Sequence, residues 1–355
     1  MSHEKQIESI CQEVFGKQPV KIKKFDSLSN FVYYIEFDDQ KRYVLKIWNK
    51  DADNVFLFDE KNNQQYLKKS PVFQGLIFKE HPDWNIENYI NGDNVPVEWH
   101  RDQEKRLLYM KRVSELNKLA SKDNMEEHLV YKFFVTIRDK VYTKIRKNFE
   151  GHERLADVNK VLDHFDWYFE NVIKKHNLNE KLIFQHNDLL NGNIVYDKTT
   201  EKLNLIDFEY NGFGFFCTEI YNILLESTYD YNDDHKGGFI QSLDVLPSAD
   251  KIKQLIKYHL FFTRYGEKYM TQEDTEANLA EVEKDENMQK INDDEVEGYY
   301  KNFGFYSSFC DLYWTIWAFY MFFKPDCELD YIEYGFSRYN DFLRDIEGMN
   351  LNYKA

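Results

Sequence analysis

The chain has 355 residues, enough for two lobes at about 150 residues per domain, and 17% are aromatic, which excludes a disordered polymer. Its net charge of -16 argues against nucleic acid as a partner, since phosphate backbones are held by clustered Lys and Arg. Four widely spaced cysteines, with no Cys-x-x-Cys pair and no His-Glu-x-x-His, indicate neither a disulfide framework nor zinc.

The N-terminus, Met1 to Gln6, lacks the basic-then-apolar order of a signal peptide, so a reducing, cytoplasmic location is expected. Ile7, Ile10, Cys11, Val14 and Phe15 recur at helical spacing and Gly16 follows, which predicts an amphipathic helix over residues 4–15. Two β-rich runs, 31–37 and 42–48, flank Asp38-Asp39-Gln40 and predict a hairpin with Lys46 on its second strand. A helix carrying Glu60 and Tyr66 and strands at 76–78 and 86–90 complete a small antiparallel sheet with helices. Asn91-Gly92-Asp93, with Pro96 after it, reads as a hinge.

Beyond the hinge the period becomes helical, first over 101–119 and again at Val161, Leu162, Phe165, Tyr168, Phe169, Val172 and Ile173. Residues after Asp207 read as helical almost to the end, and no internal repeat occurs. Phe303 to Phe323 approaches the ~20 residues of a membrane helix, but Asp311 lies near its middle and its bulk is Tyr, Trp and Phe, so a helix buried in a globular lobe is expected. Residues 273–297 carry eleven acids against Lys284 and Lys290, more than half of the net charge, and read as a solvated insertion.

Between these helical stretches lies His186-Asn187-Asp188-Leu189-Leu190-Asn191-Gly192-Asn193, followed one hairpin later by Leu205-Ile206-Asp207-Phe208-Glu209. Asn, Asp and Gly are also ordinary turn residues, so no single position is informative. The ordered set is: a loop Asp to receive a hydroxyl proton, an Asn five positions on and a second carboxylate after the hairpin are what phosphoryl transfer requires. No Gly-Lys-Ser/Thr exists, which removes the P-loop class, and Gly212-Phe213-Gly214 follows a hairpin and lacks the dinucleotide spacing. An ATP enzyme must then hold its phosphates another way; the protein-kinase-like arrangement does so with a strand Lys paired to a helix Glu, for which Lys46 and Glu60 are candidates.

His-Asn-Asp-Leu-Leu-x-x-Asn-Ile with Leu-Ile-Asp-Phe-Glu-Tyr resembles the choline/ethanolamine kinase family, most closely over 182–231 and 309–343. The resemblance implies an α+β, two-lobed protein-kinase-like fold of the aminoglycoside-phosphotransferase branch. An N-terminal ATP-binding lobe, 1–92, would hold an antiparallel sheet with helices. A larger, mostly helical C-terminal lobe, 93–355, would hold catalysis and substrate. It further implies an ATP-dependent choline kinase, acting at the first step of phosphatidylcholine synthesis, with Mg2+ as its metal. Asp188 would be the base, Asn193, Asp207 and Glu209 the metal ligands, and His186 a brace for the loop. Ser29 and Asn30 match the phosphate-covering loop, and Asn88 to Ile90 the adenine hinge. A trimethylammonium group has no N–H to donate, and aromatic faces hold it by cation–π attraction. The family's cage is matched by Tyr210, Tyr231, Trp314, Trp317 and Tyr334, with Glu226 as its carboxylate.

The pattern also departs from the family. The 26–30 loop lacks glycine, Glu219 stands where an Asp is usual, and Leu329 replaces an aromatic. Glu226 to Tyr231 resembles the choline version and Asp188-Leu189-Leu190 the ethanolamine version, so ethanolamine kinase is the first alternative. Another small-alcohol or aminoglycoside kinase, and a non-catalytic binding protein, are further ones. The partner implied is a small-molecule substrate, choline or ethanolamine. The oligomeric state stays open, a homodimer among the options.

Overall fold

The computed structural model describes residues 3–25, 30–49, 60–70, 73, 75–176, 180–231, 237–322 and 329–349, without the side chains of residues 60–62 and 64. The chain divides into two units, one formed by residues 1–54 and 64–91 and the other by 55–63 and 92–355.

The first unit begins with α1 (His3–Phe15), β1 (Lys21–Phe25), β2 (Phe31–Glu36) and β3 (Arg42–Ile47). Then come α2 (Glu60–Leu67), which spans the division between the units, β4 (Ile77–His81) and β5 (Trp84–Asn88). The sheet runs β1-β2-β3-β5-β4, antiparallel throughout. Period-2 alternation aims Tyr33, Ile35, Tyr43, Leu45 and Ile47 at one face, where Ile7, Ile10 and Cys11 of α1 cover them. The expected hairpin is present, and Gln40 closes its turn at φ 63°. Against expectation, β1 forms an additional edge strand; β4 runs on to His81, and β5 lies at 84–88, two residues earlier than the expected 86–90, with a register shift between Ile77 and Lys79.

In the second unit β6 (Asp93–Asn94), α3 (Val97–Arg101), α4 (Gln103–Asn117) and β7 (Ser121–Lys122) lead to α5 (Leu129–Thr136), α6 (Arg138–Asn148) and α7 (Leu155–Asn171). A central group of short strands follows: β8 (Leu182–Gln185), β9 (Ile194–Asp197), β10 (Lys202–Leu205) and β11 (Gly212–Gly214). Strands β10-β9-β6 form one sheet and β11-β8-β7 another, so Gly212-Phe213-Gly214 is a strand and not a nucleotide turn. After α8 (Thr218–Glu226) and the small pair β12 (Tyr229–Asp230) and β13 (Ile240–Gln241), the chain is helical: α9 (Ala249–Tyr265), α10 (Glu276–Glu283), α11 (Asp293–Lys301), α12 (Phe303–Met321) and α13 (Tyr331–Gly348).

Most of the aromatic stretch forms α12 (Phe303–Met321), buried from Phe305 to Tyr320, and no described helix is long and apolar enough to cross a membrane. Helix α13 lies along it. A Cβ at Gly335 would stand 2.6 Å from Phe319 Cε1, so the absent side chain is what allows the two helices to approach.

The acidic segment is not merely solvated. Although most of its acids are exposed, Asp274 is fully buried and pairs with Lys111 Nζ at 2.8 Å and Arg112 Nη2 at 2.7 Å, both on α4. It also accepts the Leu203 N–H at 2.7 Å, while its own N–H donates to Glu201 O at 2.7 Å. One carboxylate thus ties the segment, α4 and the β9–β10 hairpin together.

Candidate active site

The 186–193 loop joins β8 to β9, and nearly every polar group in it has an assigned task. Asn187 adopts a left-handed φ of 67°, which an Asn tolerates better than most residues, and its Nδ2 donates to Tyr210 O at 3.0 Å. His186 is fully buried: Nε2–H donates to Ile206 O at 2.8 Å, which leaves Nδ1 to accept the Asp188 N–H at 3.3 Å. Glu219, in the first turn of α8, accepts from His186 N at 2.6 Å and Asn187 N at 3.4 Å. Its second oxygen accepts from Asn117 Nδ2 of α4 at 2.8 Å. Asn222 Oδ1 takes the Leu189 N–H at 2.6 Å, and His100 Nε2 of α3 donates to Leu189 O at 2.9 Å. Helices α8 and α3 therefore grip the backbone on both sides of Asp188, and α4 braces Glu219 from behind.

Asn193 Nδ2 donates to Asp188 O at 2.9 Å and to Asp188 Oδ2 at 2.8 Å, which turns the Asn193 carbonyl oxygen outward as a hard donor. The hairpin register pairs Ile194 with Leu205, and Ile206 N donates to Asn193 O at 3.0 Å, so Asn193 and Asp207 flank the same open end. Asp207 sits at φ 58° and opens a 3₁₀ turn, 208–210, that carries the buried Glu209 and Tyr210.

Burial holds the Asp188 carboxyl well above the usual carboxylate range, and the charges of Glu226, Asp207 and Glu209 raise it further, while the Asn193 amide opposes them. Four acids thus converge, and such a concentration calls for a cation. Among the described residues no three His, Cys, Asp or Glu side chains close around one ion. Mg2+ takes one or two protein carboxylates and completes its octahedron with phosphate oxygens and water. Asn193, Asp207 and Glu209 offer the oxygen donors it prefers.

The six expected substrate residues fall into two groups. In the first, Trp314 and Trp317 project from one face of α12 with ring centroids 5.3 Å apart. Tyr210 meets Trp314 at 5.2 Å and accepts the Trp317 Nε1–H at 3.0 Å. Tyr313 and Tyr331 extend this wall. In the second, Tyr231 OH donates to Glu226 Oε2 at 3.0 Å and lies 3.3 Å from Tyr334 OH. The buried Arg338 joins all three.

In the first unit, Lys46 is buried on β3 between Val32 and Asn85, its Nζ 5.9 Å from the Trp48 ring. Asn30 is buried and accepts the Asn49 N–H at 3.3 Å. Asn88 ends β5 with its N–H bonded to Leu76 O at 2.8 Å, so that donor is committed to the sheet; Ile90 follows it, half-buried. Ser29 and the Glu60 side chain lie outside the described residues.

Sequence reasoning missed Asn117, Asn222, Tyr313 and Arg338. Only Arg338 had a visible signal: it stands in the i, i+3, i+4, i+7 stripe of α13 formed with Tyr331, Tyr334 and Gly335, where a charge demands a partner.

A family model described as choline/ethanolamine kinase matches residues 22–343. The probable ethanolamine kinase A of Dictyostelium discoideum is 29% identical over 337 residues, covering 92% of this chain and 85% of that protein. The ethanolamine kinase of Drosophila melanogaster is 24% identical over 207 residues; the match takes in 57% of this chain but spans only 34% of that protein's length. In fold, the chain is similar to the crystal structure of a choline kinase from Cryptosporidium parvum, with a TM-score of 0.70 at 17% identity, covering 97% of this chain and 96% of the other. That likeness extends to the two-lobed, protein-kinase-like α+β architecture.

Proposed function

The chain belongs to the choline/ethanolamine kinase family, and from that premise we propose that it transfers the γ-phosphoryl group of ATP to the hydroxyl of choline, giving phosphocholine and ADP. The observation that carries the reading is the Asp188–Asn193 pair at the mouth of the β9–β10 hairpin, with Asp207 and Glu209 beside it. Asp188 orients the substrate hydroxyl and accepts its proton as the new O–P bond forms and the bond to the β-phosphate oxygen breaks. Its side chain needs no search to do this, because His186, Glu219 and Asn222 hold the loop in place. Asn193, Asp207 and Glu209 would hold magnesium, which when bound would neutralise the charge that spreads onto the transferring oxygens. Lys46, Asn30 and Ser29 are assigned to the nucleotide phosphates, Glu60 to Lys46, and Asn88 to Ile90 to adenine. Trp314, Trp317 and Tyr210 form the wall for the methyl groups, and Glu226, Tyr231 and Tyr334 the anionic end.

A second reading, ethanolamine, is favoured by the names of the matched Dictyostelium and Drosophila proteins. Glu226 also favours it, since its oxygens suit an ammonium that can donate hydrogen bonds. ADP release measured with ethanolamine, its mono- and dimethyl derivatives and choline separates the two. A kcat/KM that climbs with each methyl supports choline, and one that falls supports ethanolamine. Absence of ADP release with all four amines refutes both.

A further inference from the structure

Phosphoryl transfer has no need of a guanidinium at the cationic end of its acceptor substrate, yet one is present there. Arg338 on α13 has no solvent exposure. Its Nη2 donates to Glu226 Oε1, to Tyr334 OH at 2.6 Å and to Tyr231 OH at 3.3 Å, and its Nε reaches Tyr334 OH at 2.9 Å. The guanidinium carbon lies 4.1 Å from the Tyr229 ring centroid and 4.9 Å from that of Tyr334. Tyr231 OH closes the cluster by donating to Glu226 Oε2 at 3.0 Å.

Two consequences follow from this wiring. Glu226 ends α8, and a glutamate there has three rotatable side-chain bonds; Arg338 and Tyr231 together hold both of its oxygens in one orientation. Each oxygen still keeps a lone pair for another donor. Glu226 also raises the Asp188 carboxyl electrostatically, so the anionic end and the catalytic loop sense each other's charge. Without a guanidinium, Glu226 would be a buried carboxylate beside other acids, free to rotate or to repel them.

We propose that Arg338 is a positioning residue for the cationic end of the acceptor: by fixing Glu226 and the hydroxyls of Tyr231 and Tyr334, it sets where the substrate's ammonium group rests while staying away from the transferring phosphoryl group. The proposal deepens the amino-alcohol kinase reading and rests on it. A fixed carboxylate lowers the entropy lost when the ammonium docks, so the effect belongs in the KM for the amino alcohol and not in the chemical step.

The test is steady-state kinetics of the wild type, Arg338→Lys and Arg338→Ala with choline and ethanolamine, each protein also checked by thermal denaturation. Lysine keeps the charge but loses the fork that spans Glu226 and Tyr334. Arg338→Lys is expected to raise the amino-alcohol KM about tenfold, with kcat and the ATP KM within about twofold of wild type. Arg338→Ala is expected to raise that KM further, and millimolar guanidinium should restore part of the loss. Unchanged amino-alcohol KM in folded variants overturns the proposal, as does an equal loss across kcat and both KM values, which marks a packing role alone. If neither variant folds, Glu226→Gln carries the test: an unchanged amino-alcohol KM there removes the group that Arg338 is proposed to hold. A wild type that releases no ADP with any amino alcohol instead overturns the underlying kinase reading.

Discussion

Glu219 provides a quantitative test of how the 186–193 loop is held. Its carboxylate is fully buried on α8, and burial lifts its pKa from the usual 4.5 to about 7, against the lowering effect of its bonds to Asn117, His186 and Asn187. A carboxyl raised in the folded state favours folding below the unfolded pKa, and this advantage is lost as pH rises through the folded value. By proton linkage the displacement removes about 2.5 kcal/mol of stability between pH 5 and pH 8. Glu219→Gln cannot ionise, so it lacks this loss. Its amide oxygen can still accept the His186 N–H, but its NH2 faces Asn117 Nδ2. Asn117 cannot turn to accommodate it, because its Oδ1 accepts from His259 and its Nδ2 also donates to Phe184 O. That mismatch costs about 1–3 kcal/mol at every pH. Equilibrium urea denaturation should therefore find the variant less stable than wild type at pH 5, with the gap narrowing or reversing by about 2.5 kcal/mol at pH 8. Contributions of all other groups cancel in the difference. Parallel pH profiles for the two proteins would refute the account of Glu219 as a buried, titrating anchor.

Asp188→Ala should lower turnover by about 10²–10⁴-fold in a coupled ADP assay while the ATP KM stays within a few-fold, and matched losses in both would remove its role as base. Trp317→Ala deletes a ring of the aromatic wall and the bond to Tyr210 OH. A cation–π contact of ~0.5–2 kcal/mol predicts an amino-alcohol KM about two- to thirtyfold higher at similar kcat, and a constant KM excludes Trp317 from the cation site. Asp274→Ala strands Lys111 and Arg112 as buried charges without their shared carboxylate. A loss of about 3–5 kcal/mol in denaturant unfolding is expected, whereas a change below ~0.5 kcal/mol would show the segment to be an appendage.

Wherever a single face or stripe is buried, the pattern of residues made the element legible. The β2–β3 hairpin, α1 and α7 follow directly from periods of 2 and 3.6, while α12, buried all round, was read from its unbroken aromatic and apolar run. Strand β1 was invisible for the complementary reason: four of the five residues in Lys21–Phe25 are exposed, so an edge strand held by backbone bonds leaves no alternation to read. The 186–193 loop stood out because phosphoryl transfer needs specific groups in order. Its supports did not, since Asn117 and Asn222 reach it from distant helices and are ordinary polar residues in sequence. The acidic segment shows the limit of charge counting. Asp274 meets Arg112 across 162 positions of chain, and only the fold reveals that the two neutralise each other.

The close approach at Gly335 bears on how selectivity could drift over generations. With Phe319 Cε1 only 2.6 Å from where a methyl would stand, one added carbon must wedge the two longest helices apart. Trp314 and Trp317 ride on one of them, Tyr334 and Arg338 on the other. The spacing of these four side chains is thereby encoded at a glycine outside the set, so a mutation there could reshape the proposed amine site while every side chain assigned to it keeps its identity.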